Sequence, residues 1–294
     1  LAAVRNFGRI EEKGASMKFG LHVSIAGKIY LAVERAHEMN CDCFQTFVGN
    51  PRAWRDIGYP AEDVKKFREL QKELGVAPYI IHAMYLINMA TPKPDLHKKS
   101  TDTLCQTVRM GEELGARTVV VHIGSHSRSG VESGIKQIAA AIKVAAKECK
   151  NTTISLEPSA GGGDHIGSRF EQLRQIFEGL KWDKRITVCL DTAHLWAAGY
   201  DVADPKAFDQ MIKDFDSIIG LERLSCLHLN DSKALLDSHV DRHDNIGDGK
   251  LGLATFKHII HHPKLKDLPA IMETPGYEAP GSNGKNIETI KSLL

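Results

Sequence analysis

Residues 185–194 read Arg-Ile-Thr-Val-Cys-Leu-Asp-Thr-Ala-His. The run Arg185-Ile186-Thr187-Val188 has the β-branched, apolar character of a strand crossing a core, yet the stretch ends in a carboxylate, Asp191, with His194 three positions on. Two readings compete. In one, Asp191 caps the helix that follows and His194 lies on that helix's surface. In the other, the pair belongs to a site at the strand's end. One such pair does not decide the matter, so the rest of the chain must.

The same shape recurs along the sequence: a short apolar or β-branched run, then a stretch of helical period. The first is Lys18–His22, followed by an amphipathic segment from Ala26 to Met39. Next come Cys43–Val48 with the charged helix AEDVKKFRELQKEL (61–74), and Val76–His82 with a helix near Lys98 to Leu114. The fourth to sixth runs are Arg117–His122, Thr152–Glu157 and Arg185–Asp191. The seventh, Arg223–Asp231, carries His228, and the eighth, Leu268–Thr274, carries Glu273. Runs apolar on both faces belong to a parallel sheet buried between helices. Right-handed crossovers can close eight such units, over roughly 250 residues or more, into a (β/α)8 TIM barrel. A doubly wound open sheet is the main competitor. No Pro/Gly/Ser-rich linker divides the chain, so a single domain over residues 17–294 is expected.

The chain has 294 residues, 42% hydrophobic and 26% charged, with a formal net charge of +1. That is a globular composition without basic excess. A nucleic-acid binder of this charge needs local positive potential, which bound metal can supply. No apolar run approaches the roughly 20 residues needed to cross a bilayer, and residues 1–16 lack the apolar centre of a signal peptide. A cytoplasmic protein that does not engage membrane is expected, with residues 1–16 an extension outside the fold. Six cysteines include no C-x-x-C pair and read as small core hydrophobes.

In parallel α/β folds the loops after the strands gather at one mouth, where chemistry is placed. The third to eighth strands end in or near His82, His122, Glu157, Asp191, His228 and Glu273, all metal-ligand types. Such groups are costly to desolvate alone, and shared metal is the economical reason for six of them. His194, Asp241 and His243 lie in loops of the same mouth, and the Asp-x-His spacing lets two side chains of an extended segment share a side. Nine imidazole and carboxylate ligands without a thiolate exceed the needs of one ion. They suggest two or three ions, zinc or manganese by donor type.

The motifs EPSAGGG, CLDTAHLWAAGYD, LHLNDSK, VDRHDNIGDG and METP, with IHAMYLINMATP and VVVHIGSH before them, resemble the endonuclease IV family of abasic-site DNA repair enzymes. The resemblance runs from about Met17 to the C-terminus. It implies a barrel with three zinc ions, Mn2+ being a possible substitute. His82, His122 and Glu157 would hold one ion. Glu157 would bridge to a second held by Asp191, His228 and Glu273, and His194, Asp241 and His243 would hold the third. It further implies Glu157 as the catalytic residue orienting a hydroxide that attacks the phosphorus 5′ to an abasic sugar in duplex DNA, leaving a 3′-hydroxyl, with trimming of blocked 3′ ends besides. Arg52, Tyr85 and Leu86 match the side chains that fill the gap left by the flipped-out nucleotide. Nothing in the sequence itself demands a partner subunit, so a monomer is expected. Ala53, Pro158 and Ser159 depart from the polar residues usual at these places.

Other readings remain open. Tyr85 and Leu86 could begin the next helix. Gly161-Gly162-Gly163 could let backbone approach a metal or phosphate, or form a flexible loop. Asn230 and Asp231 are candidates to fix imidazole tautomers. A xylose-isomerase-like sugar isomerase or epimerase shares the barrel with fewer ions, and a protein that binds abasic DNA without cutting it is a third possibility.

Overall fold

A computed structural model describes residues 17–276 and 284–294, so the expected extension at 1–16 lies outside the described residues. The chain alternates β1 (Lys18–His22), α1 (Leu31–Glu38), β2 (Cys43–Thr46), α2 (Ala61–Leu74), β3 (Tyr79–His82), α3 (Pro94–Leu114), β4 (Thr118–His122) and α4 (Val131–Ala145). It continues with β5 (Thr153–Glu157), α5 (Phe170–Gly179), β6 (Ile186–Asp191), α6 (Thr192–Ala197), α7 (Pro205–Ile218) and β7 (Leu224–His228). A two-residue ladder, β8 (Asp231–Ser232) with β9 (His243–Asp244), precedes α8 (Gly252–Ile260), β10 (Pro269–Met272) and α9 (Lys285–Lys291).

Eight parallel strands close in the order β1-β10-β7-β6-β5-β4-β3-β2. Closure excludes the open doubly wound sheet. Among the described residues no helix is long and apolar enough to cross a membrane.

The sequence-based bounds shift where backbone chemistry intervenes. α1 starts only at Leu31, because Gly27 sits at a φ of 85°, outside any right-handed helix. α3 starts four residues earlier than expected, with Pro94 at its first turn, where the missing N–H costs nothing. β3 begins at Tyr79, after Pro78, which has no N–H to give a ladder. The stretch 223–231 is two elements: β7 stops at His228, and Asp231-Ser232 turns away to pair antiparallel with His243-Asp244.

The barrel interior positions the site. Cys43, Ile80, Val120, Cys189, Cys226 and Ile271 form one fully buried layer inside the barrel, separate from the larger core between strands and helices. Strand side chains alternate faces, so two residues beyond each layer member the chain again points inward, now at the mouth. Those positions are Gln45, His82, His122, Asp191, His228 and Glu273. Ser155 and Glu157 follow the same step on β5, as do Gly20 and His22 on β1. Gly20 is required for close approach: a Cβ there would collide with the carbonyl oxygen of Cys43 on β2. All six cysteines are free and buried, as small core side chains.

Candidate metal centre

The β4–β5 register sets His122 level with Glu157, and the β6–β7 register sets Asp191 level with His228. Glu157 stands at the middle. Its Oε2 lies 3.3 Å from His82 Nε2 and 3.1 Å from His122 Nε2, while its Oε1 lies 3.0 Å from His228 Nδ1. One carboxylate thus faces two groups of donors with different oxygens.

Three sets of ligand-type atoms converge, each within 4.8 Å of one another: His82, His122 and Glu157; Glu157, Asp191, His228 and Glu273; and Asp191, His194 and His243. Asp241 closes the third set, with Oδ2 3.1 Å from His194 Nε2 and Oδ1 3.2 Å from His243 Nε2. All nine sequence-derived candidates therefore meet at one mouth. Asp191 faces both the second and the third set, its Oδ2 lying 3.8 Å from His228 Nδ1 and 3.7 Å from His243 Nε2. The floor is closed: His82, Glu157, Asp191, His194 and His228 are buried. His122 and Asp241 form the open rim, with side chains 38% and 47% exposed.

Three imidazoles are oriented by backbone carbonyls. His82, His194 and His243 donate Nδ1–H to Ala83 O (2.6 Å), Pro158 O (3.0 Å) and Glu273 O (3.2 Å). That fixes the tautomer and turns each Nε2 lone pair into the mouth. Among the described residues His82 Nε2, Glu157 Oε2 and His243 Nε2 are buried without a hydrogen-bond partner. Each such atom costs about 1–3 kcal/mol if left unmade. Cations at the centre of these sets would satisfy them, and an all-nitrogen and oxygen donor set suits zinc.

Electrostatics in the ion-free cluster point the same way. Burial disfavours charge on Glu157, but His228 and His122 beside it hold its carboxyl well below the usual range. Burial likewise opposes protonation of His228, yet Glu273 and Glu157 push it up to about 10. His243 is half-buried, which opposes its protonation, but Asp191 and Asp241 beside it push it up to about 9.

Asp191 is both a cap and a member of the cluster. Its Oδ1 accepts the backbone N–H of Ala193 and His194 at 2.7 and 3.0 Å, capping α6, while Oδ2 faces the mouth. His194 is not on the surface of α6 but buried beneath the rim.

Several expectations are corrected. Asn230 orients carboxylates, not imidazoles: its Nδ2 donates to Asp191 Oδ2 and its Oδ1 accepts the N–H of Glu273, both at 2.7 Å. Asp231 has no imidazole partner among the described residues; its carboxylate accepts the backbone N–H groups of Gly247, Gly249, Leu251 and Gly252, and so folds the 247–252 segment that follows His243. Gly161 and Gly162 are small because the 233–242 loop packs on them, where a Cβ would meet the His239 ring and its carbonyl oxygen within 3 Å. Tyr85 and Leu86 lie in a turn ahead of α3, not in its first turn. Tyr85 is 52% exposed and packs edge-on against Phe47, whereas Leu86 is half-buried on the core. Arg52 is exposed in the loop after β2, its backbone N–H held by Asn50 Oδ1 at 2.9 Å. Two residues of the mouth escaped the sequence reading, His22 and Gln45, on the first two strand ends. The two-residue step from Gly20 and Cys43 would have found both.

A family model described as a xylose isomerase-like TIM barrel matches residues 33–293. A relative from Halothermothrix orenii named probable endonuclease 4 is 42% identical over 278 residues, spanning 94% of this chain and 99% of its own. A relative of the same name from Haloarcula marismortui is 38% identical, spanning 94% and 99%. Among solved structures, endonuclease IV from Thermus thermophilus superposes with a TM-score of 0.84 at 34% identity, spanning 94% of this chain and 98% of its own. Identity of this level over nearly the whole of both chains, on a barrel whose mouth gathers nine imidazoles and carboxylates, places the chain in the endonuclease IV family of abasic-site DNA repair enzymes.

Proposed function

We propose that the protein hydrolyses the phosphodiester 5′ to an abasic site in duplex DNA, leaving a 3′-hydroxyl, and also trims blocked 3′ ends. Its metal is zinc, three ions per chain, with Mn2+ an acceptable substitute. His82, His122 and Glu157 hold the first ion; Glu157, Asp191, His228 and Glu273 the second; His194, Asp241 and His243 the third, with Asp191 close enough to assist. The single observation that carries this reading is the convergence of these side chains with buried, unpartnered ligand atoms turned inward.

When bound, the ions supply positive charge that neutralises a phosphodiester and brings the pKa of water from 15.7 to about 7. Glu157 is the catalytic residue. Ionised and set between two groups of donors, it orients the water that attacks phosphorus; the bond from phosphorus to the 3′ oxygen breaks, and that oxygen leaves as the hydroxyl. Asn230 and the carbonyls of Ala83, Pro158 and Glu273 hold the surrounding carboxylates and rings, so little must move during reaction. His122 and Asp241 mark the side from which substrate enters. Arg52 and the Tyr85-Leu86 pair beside it fill the gap in the duplex, Tyr85 being the more exposed of the pair. Every group named here comes from one chain, so the proposed reaction needs no partner subunit and a monomer is the proposed active form.

The test is a duplex carrying one tetrahydrofuran abasic analogue, incubated with zinc-loaded protein. The expected product is a nick immediately 5′ to the analogue with a 3′-hydroxyl that a polymerase extends. An intact duplex would overturn the reading. A sugar isomerase or epimerase built on this barrel would instead carry one or two ions, so elemental analysis separates the two.

A further inference from the structure

The nine candidate ligands leave one buried polar side chain at the heart of the mouth without a role. Gln45, at the end of β2, is fully buried two residues beyond the interior layer. Its Oε1 lies 2.9 Å from His228 Nε2, and its Nε2 lies within hydrogen-bond reach of both Glu273 Oε1 and His22 Nδ1.

The chemistry of these neighbours fixes the carboxamide. An ionised Glu273 carboxylate only accepts, so the side of Gln45 facing it must be the NH2 group. Its second N–H then goes to His22 Nδ1, 3.1 Å away. Oε1 is consequently turned to His228, which must donate its Nε2–H. With the proton held on that side, the Nδ1 lone pair of His228 is the one presented to Glu157, Asp191 and Glu273, whose nearest oxygens lie 3.0, 3.8 and 3.5 Å from it. His82, His194 and His243 each have a backbone carbonyl for this purpose, whereas the acceptor facing the outer nitrogen of His228 is the carboxamide. The same side chain also ties down one oxygen of Glu273.

We propose that Gln45 is a positioning residue of the metal centre, holding His228 in its Nε2–H tautomer and Glu273 in its ligating orientation through one carboxamide. This rests on His228 and Glu273 being metal ligands and not on which phosphodiester is cut. Groups in this position, hydrogen-bonded to a ligand rather than to the ion, change metal affinity by ~10–100-fold when removed.

The experiment uses the full chain with Gln45→Leu and Gln45→Glu. Zinc affinity is read by competition with a chromophoric chelator, and the His228 ring nitrogens by long-range proton–nitrogen NMR of the loaded protein. Gln45→Leu should weaken at least one zinc site ~10–100-fold and abolish the single Nε2–H pattern of His228. Gln45→Glu keeps an oxygen toward His228 and should restore that pattern, while its second oxygen faces Glu273 and leaves the affinity lowered. Should the leucine variant not fold, Gln45→Met, equally long and without polar atoms, takes its place. Parental affinity and parental nitrogen shifts in the apolar variant would overturn the proposal, as would a glutamate variant that fails to recover the His228 pattern. Failure of the parent protein to nick abasic duplex would overturn the nuclease reading alone, since neither zinc competition nor the nitrogen shifts require DNA.

Discussion

Asp191 and Asn230 are joined at 2.7 Å, the carboxamide donating to the Oδ2 that faces the mouth, while Asp191 Oδ1 caps α6. Asp191 therefore serves both as helix cap and as site member, because a carboxylate has two oxygens, whereas His194 is buried at the mouth and not on the helix surface. The same Asn230 accepts the N–H of Glu273 through its Oδ1, so one side chain couples the end of β6 to the residue that follows β10.

Replacing Asn230 by Ala should leave α6 capped but release Asp191 Oδ2 and leave the part-buried N–H of Glu273 without its acceptor. The expected cost is about 1–3 kcal/mol of stability from the unmade hydrogen bond and a ~10–100-fold loss in kcat/KM on abasic duplex. Thermal denaturation and nicking kinetics check both. A stability loss with full activity would mean that the tie does not orient Asp191 for catalysis.

Much of this centre is legible in sequence because strand periodicity is rigid. An inward residue in the barrel layer fixes the next inward residue two positions later, and six strand ends of ligand type cannot be coincidence at that step. Gln45 escaped because an amide is not a ligand type, and His22 because it stands alone on β1. Asn230 and Asp231 depart from expectation for a different reason. They lie just beyond the end of β7, where periodicity no longer sets direction, so nothing local tells that Asp231 turns to four backbone N–H groups of the 247–252 loop. Gly161 and Gly162 show the same limit, since His239, which packs on them, is more than seventy residues away in sequence.

Metal loading should depend on pH with a definite sign. In the ion-free cluster burial resists protonation of His228 and His243, but the facing carboxylates outweigh it and raise them to about 10 and about 9. Because these values exceed the unfolded 6.5, the imidazolium pairs contribute stability that is fully present below about 6.5 and is lost as pH rises through about 9 to 10. Zinc competes for the same lone pairs and must displace the protons. Raising the pH from about 6 to about 9 should thus tighten zinc binding while weakening the stripped fold, so the gap in melting temperature between loaded and stripped protein widens. Calorimetry in buffers of different ionisation enthalpy should show proton release on loading. Equal affinity at both ends of the range would contradict the assignment of these rings as ligands.

Glu157→Gln preserves volume but removes the charge that lies between His82, His122 and His228. Nicking should fall to background, while affinity for abasic duplex stays near the parent's and still weakens with added salt through counterion release. Gel-shift titrations beside nicking assays distinguish the outcomes. Retained cleavage would remove Glu157 from the catalytic role, and joint loss of folding and binding would make it structural. An unmutated protein that binds but never cuts would favour the recognition-only alternative.

Tyr85 offers a test that leaves the metal sets untouched. Its ring is half exposed, braced edge-on by Phe47 at 5.1 Å between centroids and set near the His82 and His122 rings, so it projects at the rim without holding the core together. If Tyr85 enters the duplex as proposed, its ring would stack against bases that lose their neighbour, a contact worth about 1–3 kcal/mol per base when truncated to alanine. Tyr85→Ala should therefore weaken binding of abasic duplex by about 1–3 kcal/mol, roughly 5- to 150-fold in Kd, with little change in melting temperature or zinc content. Arg52→Ala should act differently, lowering the slope of log K against log salt by about 1 if its contact is to phosphate. The two variants together separate stacking from charge. Unchanged affinity in both, measured by fluorescence anisotropy with zinc-loaded protein, would show that the duplex is gripped elsewhere on the rim.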